Sequence, residues 1–318
     1  MSILDILSLI LPAFALIGIG YGSGAVRLFG DHVGEALASF VFTIGLPLLL
    51  MRSVATAPVP DVSPWPLWLT YFLGVAVAWT TAQQLVRRLF GEAAGVALIG
   101  GLTASFSNLV LLGIPIVFTT YGEDGMVPLL VLVSIHFPVM VTVATILFER
   151  MQSAGHPGGG RLPALLGRIG VSLVKNPLIL GIAAGFLIRL TGVPFGGLPK
   201  AVVDQLADAS SPLSLFALGL GLRRYGLRGN LSSGLVASAI KLLLMPAVVF
   251  CAVRLAGLPP LWVAVATTMA ACPTGANVFM FSARFGVGHG LSSTGITLST
   301  LLAVLTMTGW IAYVAAAL

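Results

Sequence analysis

The stretch Ser107–Pro115 (SNLVLLGIP) lies inside a long apolar run, and a second stretch, Ala271–Asn277 (ACPTGAN), lies inside another about 160 residues later. Both combine Pro with Asn and Gly where an uninterrupted membrane helix would hold only apolar residues. Pro removes a backbone hydrogen bond and clashes with the preceding turn. In lipid, the freed carbonyl groups need partners inside the protein or in a water-filled cavity. Two interrupted spans at corresponding places in two halves of a chain indicate a transporter's binding site.

The composition is that of a membrane protein. Hydrophobic residues make up 58% of the 318 residues and charged residues only 8%, and the mean hydropathy is +1.06. A soluble domain has about 25% charged residues. The net charge of +6 does not indicate nucleic-acid binding, because the basic residues fall in short loops between apolar runs. We therefore expect a multi-pass protein of the cell inner (plasma) membrane, with no nucleic acid as a partner.

Ten apolar runs are each long enough to cross the membrane, which takes about 20 residues. They are Ile3–Gly22, Val33–Val54, Trp65–Val86, Ala94–Tyr121, Met126–Phe148, Val171–Leu190, Ala201–Leu222, Leu231–Leu255, Leu261–Phe285 and Leu291–Ala315. The longest loop, Glu149–Gly170, contains three consecutive glycines, which is typical of a flexible connector. The sequence predicts an all-α integral membrane protein whose first five-helix repeat (residues 1–148) and second five-helix repeat (171–318) are joined by a cytoplasmic linker (149–170).

Because five is an odd number, the second half must enter the membrane in the opposite orientation, which predicts a five-plus-five inverted repeat. Three pairs of prolines support a weak alignment of the halves. They are Pro12 with Pro177 and Pro47 with Pro212, both 165 residues apart, and Pro115 with Pro273, 158 residues apart. The two interrupted runs are the fourth and ninth spans.

The distribution of Lys and Arg predicts the orientation. Eleven of the 16 fall in odd-numbered loops, and one, Lys241, falls within a span. The other four lie in even-numbered loops or at the adjoining span ends; they are Arg52, Arg189, Lys200 and Arg254. Because basic loops stay in the cytoplasm, both termini are predicted to face outward.

These motifs resemble the auxin efflux carrier family, which includes plant PIN-type carriers and bacterial permeases for small dicarboxylates. Asn108, Gly113 and Pro115 match an N-x-x-x-x-G-x-P crossover motif, Pro273–Phe279 (PTGANVF) is similar to its partner crossover, and Lys241–Pro246 (KLLLMP) is similar to bacterial members. The resemblance implies two broken helices that cross, a division into scaffold and transport domains, and elevator-like movement.

Six residues at the interruptions are candidates for substrate binding. They are Asn108, Gly113, Pro115, Pro273, Thr274 and Asn277. The asparagine amides and the threonine hydroxyl can bond a carboxylate, although they can also cap a half-helix or bond between helices. The prolines are expected to act indirectly, by exposing half-helix N-termini, which favour an anion.

Three ionisable residues within spans are candidates for ion coupling. Asp208 could carry a proton or bind Na⁺, and Lys241 lies too deep to reach either surface easily. We expect these two side chains to pair, either as a coupling device or as a fixed strut. His136 could relay protons or serve as a hydrogen-bonded structural residue.

No enzyme signature is present, since the chain has no Walker A run, no H-E-x-x-H and no G-x-S-x-G. The sequence predicts a secondary active transporter (permease) of a small organic anion, a mono- or dicarboxylate, with no cofactor and with H⁺ or Na⁺ as possible coupling ions. The alternatives are a passive channel or uniporter and an intramembrane enzyme. A channel would need a continuous polar or charged ring, and an enzyme would need a close acid/base or metal constellation. The expected partners are the anion and the lipid bilayer, with a homodimer left open.

Overall fold

The computed structural model describes residues 3–30, 32–56, 62–153, 171, 175–192, 195–227 and 229–318. Within these residues the regular structure is helical, apart from one isolated two-residue bridge. The helices are α1 (Ile3–Ala25), α2 (Val33–Thr56), α3 (Pro64–Leu89), α4 (Ala94–Ser105), α5 (Leu109–Tyr121), α6 (Met126–Ser153), α7 (Pro177–Leu190), α8 (Gly197–Tyr225), α9 (Leu231–Leu255), α10 (Pro260–Ala271), α11 (Asn277–Phe285) and α12 (His289–Ala317).

Five of these helices are long and apolar enough to cross a membrane by length and composition, and they are α1, α2, α6, α9 and α12. Four more, α4, α5, α7 and α10, are shorter apolar helices. A described helix lies at each of the ten predicted spans, as expected for apolar runs that must satisfy their backbone groups internally. The ten-span organisation itself stays a prediction.

The predicted linker is only partly within the described residues. α6 continues past Phe148 to Ser153, so the first residues of the predicted linker are helical, and the division into two repeats joined by a linker stays a prediction. The helix continues there because Glu149 and Arg150 are good helix formers, and Arg150 in the last turn complements the helix dipole. Residues 154–170 of the predicted linker lie outside the described residues.

Prolines explain three wide turns within the helices. A π-helical turn covers Val41–Gly45 in α2, Leu109–Gly113 at the start of α5 and Ile240–Leu244 in α9. In each case a proline follows two residues later, at Pro47, Pro115 and Pro246. Pro has no N–H and clashes with the carbonyl group four residues before it. The wider turn accommodates this clash without ending the helix.

The helices pack as two groups. The first group consists of α1, α2, α7 and α8, in which α1 packs on α8 and α2 packs on α7 and α8. The second group consists of the remaining helices, of which α5 and α12 also touch α1 and α8, and α6 touches α2. Glycines bring the first-group helices close together: an added Cβ at Gly219 would lie 2.1 Å from the Ile17 carbonyl oxygen, and one at Gly181 would lie 2.3 Å from that of Pro47. Small residues are the usual means of close helix approach in membranes.

Candidate functional site

The two interruptions meet and complete each other's backbone hydrogen bonding. The first break separates α4 from α5, and the second separates α10 from α11. The backbone N–H of Asn108 donates to the carbonyl oxygen of Pro273, and the N–H of Gly275 donates to that of Phe106, both at 2.8 Å. These bonds form an antiparallel bridge centred on Ser107 and Thr274. The bridge supplies the partners that buried, non-helical backbone needs.

The side chains of the second break are mostly satisfied within the protein. Thr274 is fully buried, and its hydroxyl donates to the carbonyl oxygen of Thr103 at 2.7 Å. Its backbone N–H donates to the hydroxyl oxygen of Ser299 at 3.0 Å. Thr274 therefore ties the second break to α4 and α12.

Asn108, in the first break, keeps one half of its amide unbonded. Its side-chain oxygen accepts a hydrogen bond from the N–H of Leu111 at 3.3 Å and so caps α5. Its Nδ2 group is buried and has no hydrogen-bond partner within the described residues. An unpaired buried donor costs about 1–3 kcal/mol, so a ligand that accepts a hydrogen bond would be stabilised here.

A cavity of about 210 Å³ lies beside the breaks. The first group contributes Ala38, Phe42 and the start of α7, whereas the second group contributes the first break, the middle of α6 and the Ala276–Asn277 segment. None of the residues that line it is charged. The cavity is therefore bordered by both helix groups and by uncharged polar groups.

Three helices begin at this cavity. Its lining includes Leu109 at the start of α5, Asn277 at the start of α11, and Asn176, which caps α7 by accepting from the N–H of Leu178 at 2.9 Å. A helix N-terminus carries roughly half a positive charge and unpaired N–H groups. Three N-termini around one cavity favour a negatively charged ligand.

His136 also lines the cavity and is only 3% exposed. The backbone of Ser107 lies close to its ring, but neither ring nitrogen makes a well-formed hydrogen bond within the described part of the chain. The cavity therefore brings together three of the residues singled out from the sequence, Asn108, Asn277 and His136.

The other predicted substrate-binding residues do not line the cavity. Gly113 and Pro115 are buried in α5 beyond the break, where an added Cβ at Gly113 would lie 2.9 Å from the Met269 methyl carbon. Pro273 is buried in the second break and contributes its carbonyl group to the bridge, and Thr274 is bonded internally. Because none of these four residues lines the cavity, their contact with a substrate stays a prediction.

The predicted pairing of Asp208 with Lys241 is wrong in this structure. Asp208 accepts from the Arg52 guanidinium at 2.8 Å, and Arg52 also bonds Asp204 at 3.2 Å. Lys241 is fully buried and donates to the carbonyl oxygen of Ala270 at 2.5 Å. That carbonyl belongs to the last turn of α10, where the helix dipole favours a cation. Lys241 thus has a partner that no pattern of charged residues could reveal.

Three polar residues of functional interest were not identified from the sequence. Arg52 was counted as a charge at a span end, but it is 7% exposed and ion-paired inside the first group. Asn176 and Ser134 line the cavity. The Asn176–Pro177 dipeptide is a signal of helix initiation that could have located one of them. Ser134 has no comparable signal.

The structure gives no indication of a metal centre in the part of the chain that it describes, where no three His, Cys, Asp or Glu residues come together as potential ligands. The cavity offers hydrogen-bond donors and helix N-termini instead.

Comparisons with known proteins identify the chain as similar to membrane transporters. A family described as "Membrane transport protein" matches residues 5–311. A protein of Rhizobium meliloti (strain 1021) named "Putative malonate transporter" is 30% identical over 96% of this chain and 94% of the relative. An uncharacterized transporter of Escherichia coli (strain K12) is 23% identical over 95% of each chain, and one of Methanocaldococcus jannaschii is 22% identical over 96% of this chain and 98% of the relative.

Proposed function

The chain belongs to the membrane transport protein family, the family of the auxin efflux carriers, and on this premise we propose that it is a secondary transporter of a small organic anion. The anion binds in the cavity beside the two breaks. The observation that supports this most strongly is the unpaired Nδ2 group of Asn108, buried beside a cavity onto which three helix N-termini open. Donors without a neighbouring carboxylate select for an anion.

A short carboxylate is the best candidate substrate. The cavity of about 210 Å³ is smaller than the roughly 300–1,000 Å³ of pockets for drug-sized ligands, which suits a small substrate. Malonate is a small dicarboxylate, and the Rhizobium relative is named for malonate transport. The absence of charged side chains from the lining means that the anion is held by oriented dipoles and amide donors.

The proposal includes a ten-span architecture with two five-helix inverted repeats. The packing supports it, because exchanging the two halves maps the α1–α8 contact onto the α7–α2 contact, and the α3–α4 contact onto α9–α10. The two hydrogen bonds of the bridge exchange in the same way. In this proposed symmetry Pro273 corresponds to Phe106 and not to Pro115.

We place the moving boundary between the first and second groups. The cavity is lined from both groups, so a shift of the second group along the first would carry a bound anion, as in an elevator. A short bifunctional cross-link between cysteines introduced at Tyr225 on α8 and Phe279 on α11, whose rings contact each other with centroids 5.3 Å apart outside the cavity lining, should stop transport and leave anion binding intact. Undiminished transport in the cross-linked protein would rule out this boundary.

The orientation proposed is that both termini face outward from the inner membrane, on the strength of the excess of basic residues in the odd-numbered loops. A cysteine added at Leu318 should react with an impermeant reagent in intact cells. If that cysteine is protected in intact cells and is labelled readily once the cells are lysed, the termini face the cytoplasm instead.

Uptake by the purified protein in liposomes tests the function. Labelled malonate should enter with a saturable rate, respond to an imposed H⁺ or Na⁺ gradient, and be recovered unchanged. Protein-free liposomes are the control. A rate that rises in proportion to malonate without saturation would favour the channel alternative, and recovery of an altered molecule would favour the enzyme alternative.

A further inference from the structure

His136 is a buried imidazole whose hydrogen-bonding capacity is unused. It lies on α6, and its ring is surrounded by Phe106 at 5.3 Å, Tyr71 at 5.7 Å and Phe72 at 6.4 Å between ring centroids. Nδ1 and Nε2 are both buried and have no partner in the described residues. Buried polar groups in native proteins are normally bonded, so this ring calls for an explanation.

The backbone of Ser107 lies close to the His136 ring, but neither ring nitrogen forms a well-aligned hydrogen bond with it, and two nearby polar side chains are bonded elsewhere. The hydroxyl of Tyr71 donates to Ser107 Oγ at 3.2 Å, and the hydroxyl of Ser134 donates to the carbonyl oxygen of Val131 at 2.9 Å. The aromatic rings around the imidazole offer no conventional acceptor. What remains is the cavity, which His136 lines together with Asn108.

We propose that His136 is a specificity-determining residue, which donates a ring N–H to the polar group of the substrate that Asn108 does not hold. This inference rests on the proposed function, because it assumes that an anion occupies the cavity. One substrate carboxylate accepts from Asn108, and the imidazole bonds the second polar group. The neutral ring carries one N–H donor in either tautomer, and a bond to a carboxylate oxygen is charge-assisted.

The position of His136 fits a short substrate with a polar group at each end. The Ser107 backbone lies beside the ring, and Ser107 directly precedes Asn108, so both unpaired groups flank one small cavity. A molecule with two carboxylates can bond both of them. A molecule of similar length with one carboxylate bonds only one and leaves the other unsatisfied, and a site built in this way rejects such an analogue strongly.

Titration calorimetry on the purified full chain tests this inference with malonate and propionate as the probes. His136→Phe keeps the aromatic packing and removes both nitrogens. It should weaken malonate binding by about 10- to 150-fold, the value of a hydrogen bond to a charged group, and leave propionate binding unchanged. His136→Gln restores a donor and should recover part of the malonate affinity. His289→Phe, at an exposed histidine, is the matched control and should bind both anions as the wild type does.

The outcomes separate the two proposals. Wild-type malonate affinity in a folded His136→Phe protein overturns the inference and leaves the proposed function standing. An equal loss of malonate and propionate also overturns it, because His136 would then only position the breaks. A wild-type protein that binds neither anion overturns both proposals.

A second measurement decides the case if His136→Phe fails to fold. The wild-type chain has four histidines, and ¹⁵N-labelled imidazoles give separate signals. The signal that disappears in His136→Gln should shift on addition of malonate and stay in place with propionate. If malonate binds but the His136 signal does not shift, the inference is overturned.

Discussion

The two breaks share one backbone bridge but use their polar side chains differently. In the second break, the Thr274 hydroxyl bonds Thr103 and the Thr274 amide bonds Ser299. In the first break, Asn108 caps α5 with its oxygen and keeps its Nδ2 group unpaired beside the cavity. The polar groups of Thr274 in the second break are bonded within the protein, whereas the first break presents an unpaired donor to the cavity.

Under the proposed function, the second break holds the site together and the first break binds the ligand. A buried donor without a partner destabilises the protein, and natural proteins keep such defects mainly where function requires them. Thr274 bonds both its hydroxyl and its backbone N–H inside the protein, so we interpret the second break as the frame of the site. Asn108 leaves a defect that an anion can satisfy.

The largest effect that we predict is on binding at the first break. Asn108→Ala should weaken malonate binding by about 10- to 150-fold, which corresponds to losing a hydrogen bond to a charged group. Asn277 is half-buried and lines the same cavity from the start of α11. Asn277→Ala should weaken malonate binding less than Asn108→Ala does. Calorimetric titration with malonate measures the affinity of both variants. If Asn277→Ala loses more affinity than Asn108→Ala, the proposed difference between the two breaks is wrong.

The second effect is on stability at the second break. Thr274→Val keeps the shape of the side chain but leaves the buried Thr103 carbonyl group without its donor. The free energy of unfolding should fall by about 1–3 kcal/mol, with much less change in malonate affinity per folded molecule. Thermal unfolding in detergent, with and without malonate, measures both quantities.

Thr80→Val is the matched control for this experiment. Thr80 is exposed, and its hydroxyl bonds only its own helix, at the carbonyl oxygen of Ala76. This variant should unfold like the wild type. If Thr274→Val also unfolds like the wild type but binds malonate poorly, Thr274 belongs to the binding site and the frame interpretation fails.

The smallest effect concerns Lys241, which supports the helix leading into the second break. Lys241→Met keeps the length of the side chain and removes the bond to Ala270. The loss of a cation at a helix C-terminus costs up to about 2 kcal/mol, and relief from burying an ammonium group offsets part of it. Malonate affinity should not change. A folded Lys241→Met protein that no longer binds malonate would bring Lys241 into the site.

The sequence was informative about local features and poor on long-range ones. Both breaks were predicted, because Pro with Asn and Gly inside an apolar run is a local signal. The bridge between Phe106–Asn108 and Pro273–Gly275 was not, since no sequence pattern encodes hydrogen bonds between two distant backbone segments.

The charged residues show the same limit. Asp208 and Lys241 were expected to pair because each is an ionisable residue within a predicted span. In the structure Asp208 is ion-paired with Arg52, and Lys241 donates to a helix carbonyl oxygen. Backbone carbonyls and helix dipoles also stabilise a buried cation, but a count of charged residues in the sequence does not reveal them.

The most direct test of the central claim is malonate binding to Asn108→Asp. This substitution keeps the oxygen that caps α5 and replaces the unpaired amide donor with a negatively charged oxygen. We predict a protein that unfolds at or near the wild-type temperature and shows no measurable binding of malonate by calorimetry. Wild-type malonate affinity in this variant would contradict the claim that the anion is held at the first break.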